Sequence, residues 1–284
     1  MHSPLRAVTS AEVEQFWRDG VVVLYDIIDP ALMHSLAPAV DALFDGPELA
    51  DMSAFADALD PAAPPTPPVK RGAFRSGVDH WRSSDEFRAF ACDSALPQII
   101  GDILTATKVN LWEDSVLVKE PGTIERTHWH QDIGYFHVEG DQICTSWCPL
   151  DDVDGASGAM QFVKGSHRGA IYQPNLFVTS TAIPGTAGEP VPDIDDLAAR
   201  GEVEVISFDL GPGDVSIHHA RTLHSAGPNS TADRRRRAIS VRYCGDDARY
   251  FLRPGAPQKP HHASVTNGEV LDSPDCPVVW VRDQ

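Results

Sequence analysis

The sequence is short of positive charge: 23 Lys and Arg stand against 41 Asp and Glu, a formal net charge of −18. A chain of that balance repels phosphate backbones and anionic lipid surfaces, so neither nucleic acid nor a membrane is an expected partner. Nor is there an apolar run near the roughly 20 residues that a membrane span requires. The opening Met1-His2-Ser3-Pro4-Leu5-Arg6 lacks the charged-then-apolar design of a secretory signal. Cysteine is sparse, odd in number and scattered (Cys92, Cys144, Cys148, Cys244, Cys276), which predicts reduced thiols in a cytoplasm and no disulfide framework. Cys144 and Cys148 share a strand face, yet no further soft ligands accompany them, so they read as buried thiols and not as half of a zinc site. Internal repeats are absent too. The remaining 42% hydrophobic and 23% charged residues describe an ordinary globular chain. Its length suits one β-barrel or sandwich domain with additions.

The chain changes character near residue 107. Before it, helix signals dominate. Thr9-Ser10-Ala11-Glu12 is a capping box, Asp29-Pro30 starts a helix running through Leu32, Leu36, Val40 and Leu43, and Ser84 opens another through Phe87 and Phe90. Ala95 to Leu104 forms one more, and Val21 to Tyr25 is a buried strand. Residues 46–68 read as an acidic, proline-rich loop, and the basic Lys70, Arg71 and Arg75 behind it as solvated. After it come short strands around 109–111, 116–118, 127–132, 141–148, 160–163, 203–210, 214–219 and 238–243. Residues 172–200 are an irregular acidic insertion, long enough to suspect a lid. The proline-rich tail is expected to wrap the domain without extending it. These signals predict a single domain over 1–284: a helical part at about 9–105, a β core at about 107–244 and a tail at 245–284. The fold class is α+β with a mainly β core, a two-sheet roll.

The chemistry concentrates in Thr127-His128-Trp129-His130-Gln131-Asp132. Two residues apart on an extended chain, His130 and Asp132 point to one face. An imidazole beside a carboxylate makes two-thirds of a metal site, and His224 is the candidate for the third ligand. Two histidines and a carboxylate with the opposite face open form the facial triad of non-haem Fe(II) oxygenases. The other histidines take plainer readings. His128 is a strand-face polar residue, His167 pins a turn, His219 lies inside the barrel without ligating, and His261 and His262 are exposed in the tail.

The wider pattern resembles the phytanoyl-CoA dioxygenase family of Fe(II)/2-oxoglutarate oxygenases. The matching pieces are Trp129-His130-Gln131-Asp132, Gly158 to His167, Gly211-Pro212-Gly213-Asp214, Leu223 to Asn229, and Arg236-Arg237-Ala238-Ile239. The resemblance implies a double-stranded β-helix, a cupin-like jelly roll with the N-terminal helices packed on one sheet. It implies His130, Asp132 and His224 as iron ligands, and 2-oxoglutarate and O₂ as co-substrates for hydroxylating a small molecule, with succinate and CO₂ released. The family's arginine, which grips the far carboxylate of 2-oxoglutarate, falls on Arg236 by anchoring on Ala238 and on Arg235 by counting from His224. Strand alternation favours Arg236. Lys119 and Trp147, and more weakly Ser115, resemble further co-substrate contacts; a strand-end lysine and a core tryptophan are the plain alternatives. With Asp132 in place, halogenation is disfavoured. Trp129, Tyr135, Phe136 and the loops around Arg75 and Tyr172 are candidate substrate walls. A zinc-dependent non-oxidative enzyme or a non-catalytic binder on the same barrel are the rival readings. Neither the substrate nor the oligomeric state follows from the sequence.

Overall fold

The computed structural model describes residues 3–59 and 71–283. Its helices are α1 (Ser10–Asp19), α2 (Pro30–Ser35), α3 (Ala37–Asp45), α4 (Met52–Leu59), α5 (Asp85–Asp93), α6 (Leu96–Leu104) and α7 (Ile194–Ala199). The early strands are β1 (Val21–Leu24), β2 (Ala50–Asp51), β3 (Phe74–Val78), β4 (Lys108–Lys119) and β5 (Thr127–His130). Next come β6 (Val138–Glu139), β7 (Ile143–Pro149), β8 (Met160–Val163) and β9 (Val205–Ser207). The last are β10 (Val215–His219), β11 (His224–Ala226), β12 (Arg236–Cys244), β13 (Arg249–Tyr250) and β14 (Val278–Val281).

Thr9 and Glu12 close the capping box on α1, each bonding the other's backbone N–H. The helix expected from Asp29 onward is instead two, α2 and α3. Pro38 has no N–H to give and its ring opposes the carbonyl four residues back, so the helix restarts around it. Part of the expected 46–68 loop is also helical. Asp51 accepts from the Ala54 N–H, and the proline-free segment behind it winds into α4. The proline run Pro64–Pro68 and Lys70 lie outside the described residues. Arg71 and Arg75 are not solvated: Arg71 pairs with Asp57 and Glu125, and Arg75 bonds the Phe44 carbonyl with its guanidinium over that ring.

The strands form two main antiparallel sheets. The larger runs β1-β10-β7-β12-β4-β3-β2, with β14 also on β4; the smaller runs β5-β11-β8-β9. Successive strands cross between them: β4 to β5, β7 to β8, β9 to β10, β10 to β11, β11 to β12. This to-and-fro winding rolls the two sheets face to face. One face of the large sheet contributes Val215, Ile217, Ile239, Val241 and Tyr243 to the main core, shared with Phe16, Met33, Val40, Phe90, Ile99 and Ile103 of the helices. Its other face carries Arg236, Ala238, Ser240 and Arg242 of β12 and Glu113, Ser115, Leu117 and Lys119 of β4. Where two strands were expected over 109–118, β4 is continuous but bulged, since Arg242 pairs with Glu113 and Tyr243 with Leu111. The extra residue, Trp112, breaks the alternation of the sequence and lets Trp112 and Glu113 both face inward. The tail does extend the sheet: past the last proline, Val278-Val279-Trp280-Val281 pairs with β4.

Asp114, on the helix side of β4, is fully buried and accepts from the Trp81 N–H, while its other oxygen has no partner among the described residues. Burial pushes its carboxyl up to about 7. The folded state therefore holds a proton that the unfolded chain gives up near 4, so stability is complete in acid and declines as pH rises through 7. Asp114→Asn mimics the protonated form. It is expected to leave stability at pH 4 unchanged and to raise it at pH 8 by up to about 4 kcal/mol, measured by urea denaturation at both pH values.

Candidate metal centre and co-substrate pocket

Neighbouring strands of the small sheet bring the two histidines together. β5 and β11 are antiparallel, and their register sets His130 directly opposite His224, with ring centroids 4.1 Å apart. Asp132 follows in the turn after β5; extended backbone at Gln131 (φ −118°, ψ 137°) carries the alternation on, so His130 and Asp132 share a face. Ligand atoms of His130, Asp132 and His224 all lie within 4.8 Å of one another. The Asp132 Oδ1 is 3.8 Å from His130 Nε2 and 3.7 Å from His224 Nε2.

Each histidine is oriented by its own strand. Nδ1 of His130 meets the His128 carbonyl at 2.7 Å, and Nδ1 of His224 meets the Thr222 carbonyl at 2.9 Å. A carbonyl accepts only, so Nδ1 carries the proton and Nε2 turns its lone pair inward. Burial drives the His130 imidazolium down to about 3 and that of His224 to about 4. Burial opposes the Asp132 carboxylate, but the histidines and Arg242 around it hold its pKa well below the usual range. Two neutral imidazoles and one carboxylate are the donor set that a ferrous ion takes, so the residues fit the metal.

The second carboxylate oxygen is held by the opposite sheet. Thr145 Oγ1 donates to Asp132 Oδ2 at 2.5 Å, and His218 Nε2 lies 3.3 Å from the same oxygen. Sequence reasoning missed His218 and put His219 inside the barrel. The two are reversed. His218 pairs in register with Thr145 and faces the triad, while His219 turns outward against Phe16, Trp17 and His167. The apolar Val215 and Ile217 flanking them already mark the helix-facing parity, and that signal gives the answer.

An inner cavity of about 30 Å³ adjoins the triad, lined by Trp147, Arg236, Ser240 and Arg242 among others. Arg236 is 1% exposed, and among the described residues its guanidinium makes one hydrogen bond, from Nη2 to the Gly158 carbonyl at 3.1 Å, leaving Nε and Nη1 without partners. Gly158 has φ +88°, and a Cβ there would meet the Gly227 carbonyl at 2.7 Å, so only glycine suits this approach. The Trp147 indole N–H also lacks a partner, and the Arg236 guanidinium stands 5.4 Å from its ring. Arg236 has no carboxylate partner among the described residues, and burial lowers its pKa to about 10. These unspent donors fit a carboxylate of a small ketoacid. Arg235 faces away and pairs with Asp41 and Glu120. Lys119 is buried beside Arg236, but its ammonium bonds the carbonyls of Glu125, Ala226 and Gly227, tying the end of β11 to β4.

An outer chamber of about 660 Å³ opens from the same triad, walled by Trp112, Ser115, Tyr135, Phe136 and Phe177, with Lys259 and His262 from the tail. Tyr135 and Phe136 line it, as do Ser76 to Asp79 just past Arg75 and Phe177 of the insertion that follows Tyr172, whereas Trp129 does not. Trp129 turns to the insertion, where its indole N–H bonds Asp195 and its ring packs near Tyr172, Ile194 and Leu223. His262 is buried, not exposed, stacked on Trp112 at 5.8 Å because the tail folds back over the bulge. The insertion roofs the site with Phe177, whose ring meets His130 at 5.4 Å. Gln131 and Asn175 lash it down through Ala170, Tyr172 and the Trp129 carbonyl.

A rolled antiparallel sheet enclosing two histidines and a carboxylate is the arrangement of a facial-triad site that could hold a metal ion. The model of the phytanoyl-CoA dioxygenase family (PhyH) matches residues 16–238, and the chain belongs to that family. A probable phytanoyl-CoA dioxygenase of Caenorhabditis elegans is 29% identical over 168 residues, 57% of this chain and 52% of that protein. A probable alpha-ketoglutarate-dependent hypophosphite dioxygenase of Stutzerimonas stutzeri is 32% identical over 121 residues, 42% of this chain and 40% of that one. The matches thus span about half the length of these curated relatives or less. The crystal structure of SnoK, a non-heme alpha ketoglutarate dependent carbocyclase from nogalamycin biosynthesis, shares the fold with a TM-score of 0.73 at 20% identity, covering 99% of this chain and 100% of that one.

Thr145→Val removes the hydroxyl that holds Asp132 while keeping the β-branched shape. Fe(II) affinity is expected to fall about 10- to 100-fold, read by anaerobic metal titration, with the thermal midpoint little changed.

Proposed function

We propose that this chain is a non-haem Fe(II)- and 2-oxoglutarate-dependent dioxygenase that hydroxylates a small molecule and releases succinate and CO₂. One observation carries the reading: three buried ligand atoms of the right protonation open onto the cavity where Arg236 and Trp147 present donors with no partner. His130, Asp132 and His224 hold the iron. Arg236 takes the far carboxylate of 2-oxoglutarate in its planar fork, with Trp147 beside it; Ser115 lines the outer chamber instead, where its hydroxyl accepts from Arg242. Lys119 acts at one remove, fixing β11 through the Ala226 and Gly227 carbonyls. Iron and 2-oxoglutarate, when bound, supply the activation of O₂ and the oxidising power.

The protein's own share is placement and exclusion. Thr145 fixes which Asp132 oxygen faces the metal, and Leu117, Met160 and Phe177 keep the inner cavity apolar. Asp132 occupies the position that a halide would need, so oxygen insertion is favoured over halogenation. We read residues 1–284 as one domain, its N-terminal helices bracing the outer face of the large sheet so that the inner face keeps its geometry. The five unpaired thiols support a reducing, cytoplasmic setting. Among the described residues no helix is long and apolar enough to cross a membrane. The zinc-dependent and non-catalytic readings gain no support from a buried arginine left with open donors.

Adding Fe(II) and then 2-oxoglutarate without oxygen is expected to produce a weak visible charge-transfer band, and its absence sinks the assignment. Asp132→Ala should abolish substrate-dependent succinate formation. Arg236→Ala should weaken 2-oxoglutarate binding by two orders of magnitude or more, about the loss of a bidentate charged pair, whereas Arg235→Ala should change it little.

A further inference from the structure

A second inward arginine is not used by this chemistry. Arg242 lies six residues beyond Arg236 on the same face of β12 and borders both the inner cavity and the outer chamber. The register gives its setting. Across the large sheet His218, Thr145, Arg242 and Glu113 form one row on β10, β7, β12 and β4. Arg242 therefore neighbours the threonine that holds Asp132. Nη1 donates to the Ser115 hydroxyl at 2.5 Å, and Nε is buried without a partner. Glu113 is the nearest carboxylate at 3.9 Å, and its other oxygen is taken by Lys259 at 2.8 Å, which Asp79 shares at the same distance. A guanidinium largely out of water, with Nε unpartnered among the described residues and its nearest carboxylate shared with Lys259, suits a further anion. Arg236 already answers to the co-substrate.

The walls around it are apolar: Trp112, Leu117, Tyr135, Phe136 and Phe177. A volume of about 660 Å³ lies within the range of drug-sized ligand sites. We propose that Arg242 anchors the primary substrate, a largely apolar small molecule bearing a carboxylate, so that its body lies along the aromatic wall beside the metal. The inference rests on the oxygenase reading, because it takes Arg236 as the co-substrate's arginine.

The test is calorimetry on protein loaded anaerobically with Fe(II) and saturating 2-oxoglutarate, so that Arg236 is already occupied. Phenylacetate and its neutral counterpart phenylacetamide are the probes. The acid is expected to bind about 10-fold or more tightly than the amide, the scale of a charge-assisted hydrogen bond. In Arg242→Gln, held at a 2-oxoglutarate concentration that saturates the variant, that preference should vanish, and Arg242→Lys should be intermediate because it keeps charge but loses the fork. Equal binding of acid and amide by the wild type, or no binding of either, overturns the proposal without any variant having to fold. So does a preference that survives in Arg242→Gln. A large loss of 2-oxoglutarate affinity in that variant overturns it too, by giving Arg242 to the co-substrate. If the wild type fails to bind 2-oxoglutarate in the presence of Fe(II), the oxygenase reading itself fails; if it binds and only the acid preference is missing, this inference alone does.

Discussion

The pairing of His130 with His224 across two short strands is the constraint on which the site depends. In an antiparallel pair, directly opposed residues have neighbouring side chains, so the register of β5 on β11 alone sets the separation of two ligands. A slip by one residue would turn every side chain of β5 to the other face and take His130 and Asp132 away together. That register is secured from outside the strands. Gln131 bonds the Arg221 carbonyl just before β11, and Lys119 reaches across from the large sheet to the carbonyls at its end. The third ligand is fixed by the opposite wall through Thr145. The candidate metal centre thus draws on both sheets at once.

Much of this was legible in the sequence because it is local. Two-residue spacing placed His130 and Asp132 on one face, and alternation from Ala238 chose Arg236 over Arg235; the structure puts Arg236 at the cavity and Arg235 against Asp41. The same alternation carried two steps further reaches Arg242, which the motif match did not prompt. Parity failed at His218 and His219 because strand ends do not announce their phase, although the valine and isoleucine beside them do. It failed again at Trp112, where a bulge shifts the phase within one strand.

Elsewhere the misses come from contacts far apart in the chain. His262 looks like a solvated tail residue until Trp112, 150 positions earlier, offers its ring. Arg71 and Arg75 look like surface charges until Glu125 and the Phe44 carbonyl receive them. Proline content misled twice, each time by hiding regular structure. It hid the short α4 beside the proline run, and it made the tail seem unable to add a strand, although four β-forming residues follow Pro277.

The two cavities are nested. His130, Asp132, Leu117, Phe177 and Arg242 border both, so whatever occupies the wide vestibule stands across the mouth of the narrow one. On the proposed reading the ketoacid takes the lower berth first, its tail toward Arg236, and the upper guest then serves as its stopper.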